Sequence, residues 1–274
     1  MNIAIIGCGY IGSAAARLWH QKGHSLTATT RSIENLTELN KIVQKSQILK
    51  DNDKKELIHL ILNNDTILIT VAADSANSYR DTYLGLAETF KQLALELDAP
   101  RHLIYTSSTS VYGNHNGLWV DETNDLLGRD ETAEILIKTE KTYLSLQELG
   151  WMVSIFRLSQ IYGPDRELSQ KIKNFKGQTL PGSGDNYTNM IHQEDCAAAI
   201  DYVLQHQIEG VFNLSDDDHP TRKELYDTIC LQQNLPHVKW DPCHAQFPVN
   251  NKRISNHKIK AEGFIFTHPH RILN

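Results

Sequence analysis

Cysteine is scarce in this 274-residue chain. Cys8, Cys196, Cys230 and Cys243 form no Cys-x-x-Cys pair and no spacing suited to zinc, which excludes a disulfide framework and a zinc ribbon. The thiols read as reduced groups of a cytoplasmic protein. Long apolar runs are missing too. The best of them, Thr66 to Ala73, has the length of a buried strand and falls far short of a membrane span. No Lys or Arg precedes the first apolar segment, so residues 3 to 19 do not read as a secretory signal. Positive charge is not in surplus either: 27 Lys and Arg stand against 33 Asp and Glu, a net charge of -6. Nucleic acid and anionic membranes are therefore not the expected partners. None of the thirteen histidines belongs to a His-x-x-x-His pair on a helix, and no metal site is read.

What is present begins at once, with MNIAIIGCGYIGSAAARLWHQKGH. Asn2 to Ile6 is a β-branched run of strand length, and Ser13 to His20 reads as the first turns of a helix. Gly7, Gly9 and Gly12, spaced Gly-x-Gly-x-x-Gly, stand where the one becomes the other. In that context each glycine has a task. Gly7 permits the tight turn, Gly9 lets the backbone approach a pyrophosphate, and Gly12 lets the helix pack closely on the strand. The helix N-terminus supplies N–H groups and a partial positive charge for the anion.

Further along, strand-like runs at Leu26 to Thr30, Ile48 to Leu49, Thr66 to Ala73, His102 to Ser107 and Met152 to Leu158 alternate with helical runs. The helices are expected at Glu56 to Leu62, Tyr79 to Asp98, Glu131 to Leu149, Glu194 to Gln205 and Arg222 to Gln233. Such alternation predicts an α/β fold with a doubly wound parallel sheet, which binds ligands at the carboxyl ends of its strands. The division expected is a dinucleotide-binding domain over residues 1–163 and a smaller C-terminal substrate lobe over 164–274, with 191–215 returning to the first domain. The Asp216 to Asp218 run reads as a solvated turn. The glycine-rich, polar stretch from Lys176 to Asn189 has little apolar surface to offset the entropy of fixing it, which predicts that it orders on substrate binding.

HLIYTSSTSVYG at 102–113, RLSQIYGP at 157–164, PGSGDNYTNMIHQED at 181–195, FNLSDDDHPTRKEL at 212–225 and KRISNHKIKAEGF at 252–264 follow the glycine motif in order. Together they resemble the extended and atypical short-chain dehydrogenase/reductases, the group of NAD(P)-dependent epimerases, dehydratases and reductases, over nearly the whole chain. The resemblance implies a Rossmann domain and cofactor contacts from Gly7, Gly9, Tyr10, Ile11, Gly12, Thr30, Arg31, Ser32, Ala72, Thr106 and Leu158. It implies substrate contacts from Ser108, Ser159, Tyr162 and Met190, with Ser108 as the catalytic hydroxyl that bonds the reacting oxygen.

One departure from the family is plain. Its base is a Tyr with a Lys four residues later, and no lysine of this chain has a Tyr at that distance. If Glu140 matches the family's Glu after the Lys, Thr132 and Leu136 occupy the places of Tyr and Lys, and a threonine cannot serve as a base near neutrality. Tyr143 is one alternative proton source. At the end of the second strand Thr30 stands where an NAD enzyme carries an acidic residue, and Arg31 follows. A guanidinium suits a 2′-phosphate, so NADP is expected, with NAD possible. The expected function is NADP-dependent hydride transfer on a small polar carbonyl or hydroxyl compound such as a nucleotide sugar, in a monomer or homodimer. The alternative is an NADP(H)-binding sensor or scaffold.

Overall fold

The computed structural model describes residues 1–50, 53–128, 130–244 and 250–273. The opening β-branched run forms β1 (Asn2–Ile6), buried from Ile3 onward, as a central parallel strand covered on both faces must be. Helix α1 (Tyr10–Gln21) turns Ile11, Gly12, Ala15, Ala16 and Trp19 inward on one stripe. Then come β2 (Ser25–Thr30), α2 (Ile33–Leu39), β3 (Lys45–Ile48), α3 (Lys54–Asn63), β4 (Thr66–Ile69), α4 (Leu86–Leu97) and β5 (His102–Ser108). After these follow β6 (Trp119–Val120), α5 (Glu131–Leu144), β7 (Met152–Leu158), β8 (Gln160–Tyr162), α6 (Leu168–Lys173), β9 (Thr179–Pro181) and β10 (Met190–His192). The chain continues through α7 (Gln193–His206), β11 (Gly210–Leu214), α8 (Arg222–Gln232), β12 (Lys239–Asp241), β13 (Arg253–Ile254) and α9 (His257–Ala261).

Seven strands make one sheet in the order β11-β7-β5-β4-β1-β2-β3. β1 runs parallel to β2 and β4, β2 to β3, and β4 to β5. The chain winds outward from β1 to β3, then crosses back to β4 on the other side, so the sheet is doubly wound as the alternation predicts. Some boundaries differ from the reading. The strand expected at Ile48 to Leu49 is Lys45–Ile48, a sheet-edge strand without an apolar run to betray it. β4 ends at Ile69, four residues before Ala73. The helix expected from Tyr79 to Asp98 is a 3-10 turn at Ala76–Ser78, a π-helical turn at Asp81–Gly85 and then α4.

Two compact units divide the chain. The first comprises Met1–Val111, Arg129–Arg157 and Cys196–Phe212, and the second Tyr112–Gly128, Leu158–Asp195 and Asn213–Asn274. The core of the first includes Ile6, Leu60, Ile69, Phe90, Tyr105 and Ile155. That of the second gathers Tyr162, Leu168, Met190, Leu225, Tyr226 and Ile229.

In the second unit one expectation is corrected. Asp216 is no solvated turn residue but fully buried. Its carboxylate accepts from Arg271 Nε at 2.9 Å and Nη2 at 3.3 Å. The same guanidinium donates from Nη1 to Thr188 Oγ1, and from Nη2 to the Thr188 carbonyl at 2.8 Å and the Asp218 carbonyl. Burial pushes the Asp216 carboxyl up to about 7 against the pull of Arg271. The stretch Lys176 to Asn189, expected to order on substrate binding, makes backbone contacts of its own. β9 within it pairs with β12, and the carbonyls of Gly184 and Asn186 accept from Lys223 and Arg222 N–H. Backbone hydrogen bonds and buried Leu180 are contacts that its composition does not reveal.

Candidate functional site

At the end of β1, Gly7 has φ of +77°, and a Cβ there would lie 2.8 Å from Val71, so both conformation and space demand glycine. Hydroxyls hold the loop from two neighbouring strands. Gly7 N–H donates to Thr29 Oγ1 at 3.1 Å, Thr70 Oγ1 donates to the Gly7 carbonyl at 2.9 Å, and Cys8 N–H donates to the Thr29 carbonyl at 2.7 Å. A Cβ on Gly12 would meet Thr70 Oγ1 at 2.7 Å and Ile5 Cγ2 at 3.2 Å, which accounts for the close approach of α1 to the sheet. Gly9 differs. The nearest atom to a Cβ there is the Gly7 carbonyl oxygen at 3.9 Å, so the space before it is open. No side chain caps α1 at Gly9, and its first turn holds no acidic residue. Uncapped N–H groups and the positive end of a helix dipole facing open space fit the pyrophosphate of a dinucleotide, with Gly9, Tyr10 and Ile11 around it. The Cys8 thiol beneath the loop is buried, which pushes it up to about 11 and keeps it neutral.

Since β1, β2, β4 and β5 are parallel, the residues after their last positions share one edge of the sheet. At that edge Thr30 Oγ1 accepts from Ser32 N–H at 3.2 Å. Arg31 donates to the Ala72 carbonyl and to Asp74 Oδ1, the latter at 2.8 Å. Thr106 Oγ1 donates to the Ile69 carbonyl at 3.3 Å. Ser108, half-buried, accepts from Ser110 N–H at 3.1 Å and still has its own proton to donate. The structure thus gathers Gly7 to Gly12, Thr30 to Ser32, Ala72, Thr106 and Ser108 along this edge.

Glu140 on α5 and Arg157 on β7 form a buried ion pair, with Nη2 2.8 Å from Oε2. One turn before Glu140, Leu136 is 2% exposed and packed inward. Thr132 lies in the exposed first turn of α5, where its hydroxyl donates to Asp130, the N-cap residue. Tyr143 offers no substitute. It is sealed in the core, 4.9 Å from the Tyr105 ring, and burial pushes its phenol far above the ordinary value.

Leu158, Ser159, Tyr162 and Met190 belong to the second unit. Leu158 and Ser159 are buried, and the Ser159 hydroxyl has no hydrogen-bond partner. Tyr162 points inward, its hydroxyl accepting from Ile272 N–H at 3.4 Å. Met190 lines a cavity of about 300 Å³ with Gln160, Lys171, Asn186, Arg222 and Tyr226. Burial and neighbouring Arg222 lower the Lys171 pKa, while Arg222 lies over the Tyr226 ring at 5.3 Å and the Trp240 ring at 5.2 Å. Neither cation is singled out in the sequence, because α6 and α8 bring them together from some fifty positions apart.

Comparison with known proteins agrees with this geometry. A sequence comparison with curated proteins gives no match. Among solved structures, a conserved protein of unknown function from Silicibacter pomeroyi shares 24% identity, with a TM-score of 0.79 over 98% of this chain and 94% of that one. A dTDP-glucose 4,6-dehydratase from Bacillus anthracis in complex with NAD shares 22%, with a TM-score of 0.78 over 96% and 90%. A UDP-glucose 4-epimerase from Thermotoga maritima, solved with UDP-glucose, shares 17%, with a TM-score of 0.79 over 95% and 92%. These likenesses establish the fold. The sequence model of the NAD dependent epimerase/dehydratase family matches residues 3–215, from β1 with its glycine loop to the strand before Asp216, and the chain belongs to that family.

Proposed function

We propose that this protein binds NADP(H) and transfers hydride to or from a small polar carbonyl or hydroxyl compound, with a nucleotide sugar as the favoured class. The observation that carries the reading is the uncapped start of α1 facing open space at Gly9. A bound nicotinamide supplies or accepts the hydride. Thr30 takes the place of the carboxylate that would repel a 2′-phosphate, and Arg31 exchanges Asp74 for that phosphate. Ser108 donates its hydroxyl proton to the substrate oxygen as charge develops there. Lys171 and Arg222 give the cavity of the second unit positive charge suited to a diphosphate. The substrate itself, or water, carries the proton that a Tyr would otherwise carry. The four free cysteines support a cytoplasmic setting, and the activity is proposed for a monomer or homodimer.

A second reading, an NADP(H)-binding protein without turnover, is favoured by one observation: Leu136, which takes the lysine's place if Glu140 matches the family's Glu, is packed into the core. Calorimetric titration with NADP+ and NAD+ tests the cofactor, and loss of bound NADPH fluorescence on adding UDP- and dTDP-sugars tests turnover. Tighter NAD+ than NADP+ binding removes the cofactor claim. Tight NADPH binding without oxidation by any sugar, and unchanged affinity in Ser108→Ala, selects the second reading.

A further inference from the structure

His192 ends β10, Glu194 lies in the first turn of α7, and His268 belongs to the C-terminal segment. In the second unit one ligand atom from each comes within 4.8 Å of the others, and they are the one such group of three among the described residues. His268 Nε2 lies 2.7 Å from Glu194 Oε2, and His192 Nδ1 lies 3.9 Å from the same oxygen. The two imidazole centroids are 3.9 Å apart. A tetrahedral ion with bonds of about 2.0–2.2 Å sets its donors roughly 3.3 Å apart, so the three atoms need only small shifts to share one. Asp195 makes the arrangement stiff: its buried carboxylate accepts Thr267 N–H at 2.7 Å and His268 N–H at 3.0 Å, which clamps the His268 backbone beside α7.

From this geometry we propose that His192, Glu194 and His268 bind a divalent transition-metal ion of the zinc class, which clips the C-terminal segment to the junction of β10 and α7. Two imidazoles and one carboxylate are the donor set that such an ion prefers over magnesium or calcium. His192 is buried at the end of β10. Its Nδ1 lone pair already accepts the Glu194 N–H at 3.3 Å, a long contact that costs little to give up. At His268 the ion takes the Nε2 lone pair, and the proton now shared with Glu194 moves to Nδ1 or to solvent. Glu194, mostly exposed, leaves the remaining coordination positions to water. Other histidine–carboxylate contacts, His237–Asp227, His244–Asp241 and His270–Asp218, each bring one imidazole to one carboxylate at exposed positions. They form weaker competitors.

The test is calorimetric titration of the chelator-treated full chain with ZnCl2, paired with thermal unfolding in the presence and absence of the ion. The wild type is expected to bind one equivalent with a raised unfolding midpoint. The double variant H268A/E194Q, altered at accessible positions so that it folds, should bind at least tenfold more weakly with no shift in midpoint. Circular dichroism of the variant checks the fold. Absence of saturable binding in the wild type overturns the proposal and leaves the cluster a charge-assisted hydrogen bond. Binding equally tight in the double variant also overturns it, by assigning the ion to another histidine.

Discussion

The start of α1 and the C-terminal clasp around Arg271 are both concentrations of N–H donors, and they differ in the side chains that answer them. At Arg271 all three guanidinium nitrogens have acceptors, drawn from Thr188, Asp216 and Asp218, and its backbone N–H donates to Asp218 Oδ2 at 2.8 Å. At Gly9 no side chain answers the helix. Saturated donors in a buried site build scaffold, whereas a helix start that no side chain caps, before open space, has the geometry that anions favour. Arg31 stands between these extremes, satisfied by one carbonyl and one exposed carboxylate that a better anion could displace.

The comparison breaks first at the clasp. Arg271→Ala should cost about 3–5 kcal/mol at pH 8, since it leaves a buried carboxylate without its cation. Urea unfolding measures this, and a loss below about 1 kcal/mol would mean that the clasp contributes little scaffold. Titration of the same site sharpens the point. The folded-state pKa of Asp216, about 7, lies above its ordinary 3.8, so its contribution to stability is complete at low pH and is lost as pH rises through about 7. Wild-type stability should therefore gain about 2–3 kcal/mol from this group between pH 8 and pH 5. Asp216→Asn should lack that component; identical pH profiles would refute the buried titration.

At the open end the effects are smaller and separate by position. Gly12→Ala forces a methyl against Thr70 and Ile5 and should destabilise the fold by about 1–3 kcal/mol. Gly9→Ala meets nothing within the protein, so its unfolding midpoint should stay near wild type while NADP(H) affinity falls about tenfold, or about 1.4 kcal/mol. Equal affinity in Gly9→Ala would show that no ligand approaches there. The smallest effect concerns Arg31. Asp74→Asn removes an exposed competitor and should tighten NADP+ binding a few-fold, about 0.5 kcal/mol, with NAD+ unchanged. Equal gains for both cofactors would detach Arg31 from the 2′-phosphate.

The glycine loop was legible because its ingredients lie within twelve residues and each acts through the backbone. The hydroxyls that brace it were not, since Thr29 and Thr70 sit at the ends of other strands and carry no local signature. Distance hid the clasp in the same way. A triplet of aspartates reads as solvated until Arg271, fifty-five positions later, is folded onto it. The contacts of the Lys176 to Asn189 stretch were hidden for a different reason, because its backbone pairs with 220–223 and 239–241, to which side-chain composition is blind. β3 was displaced since an edge strand of KSQI has no apolar periodicity.

The buried thiol beneath the glycine loop turns the chain into its own clock. Cys8, Cys196 and Cys230 are buried and Cys243 is exposed, so a thiol reagent under native conditions meets Cys243 first. Cys8 can react only when the strand-to-helix turn lifts away and its pKa falls back toward that of a free thiol. Its alkylation rate therefore counts the openings of the cradle. A dinucleotide seated on the loop should slow that rate in proportion to its occupancy, without any need to know the substrate.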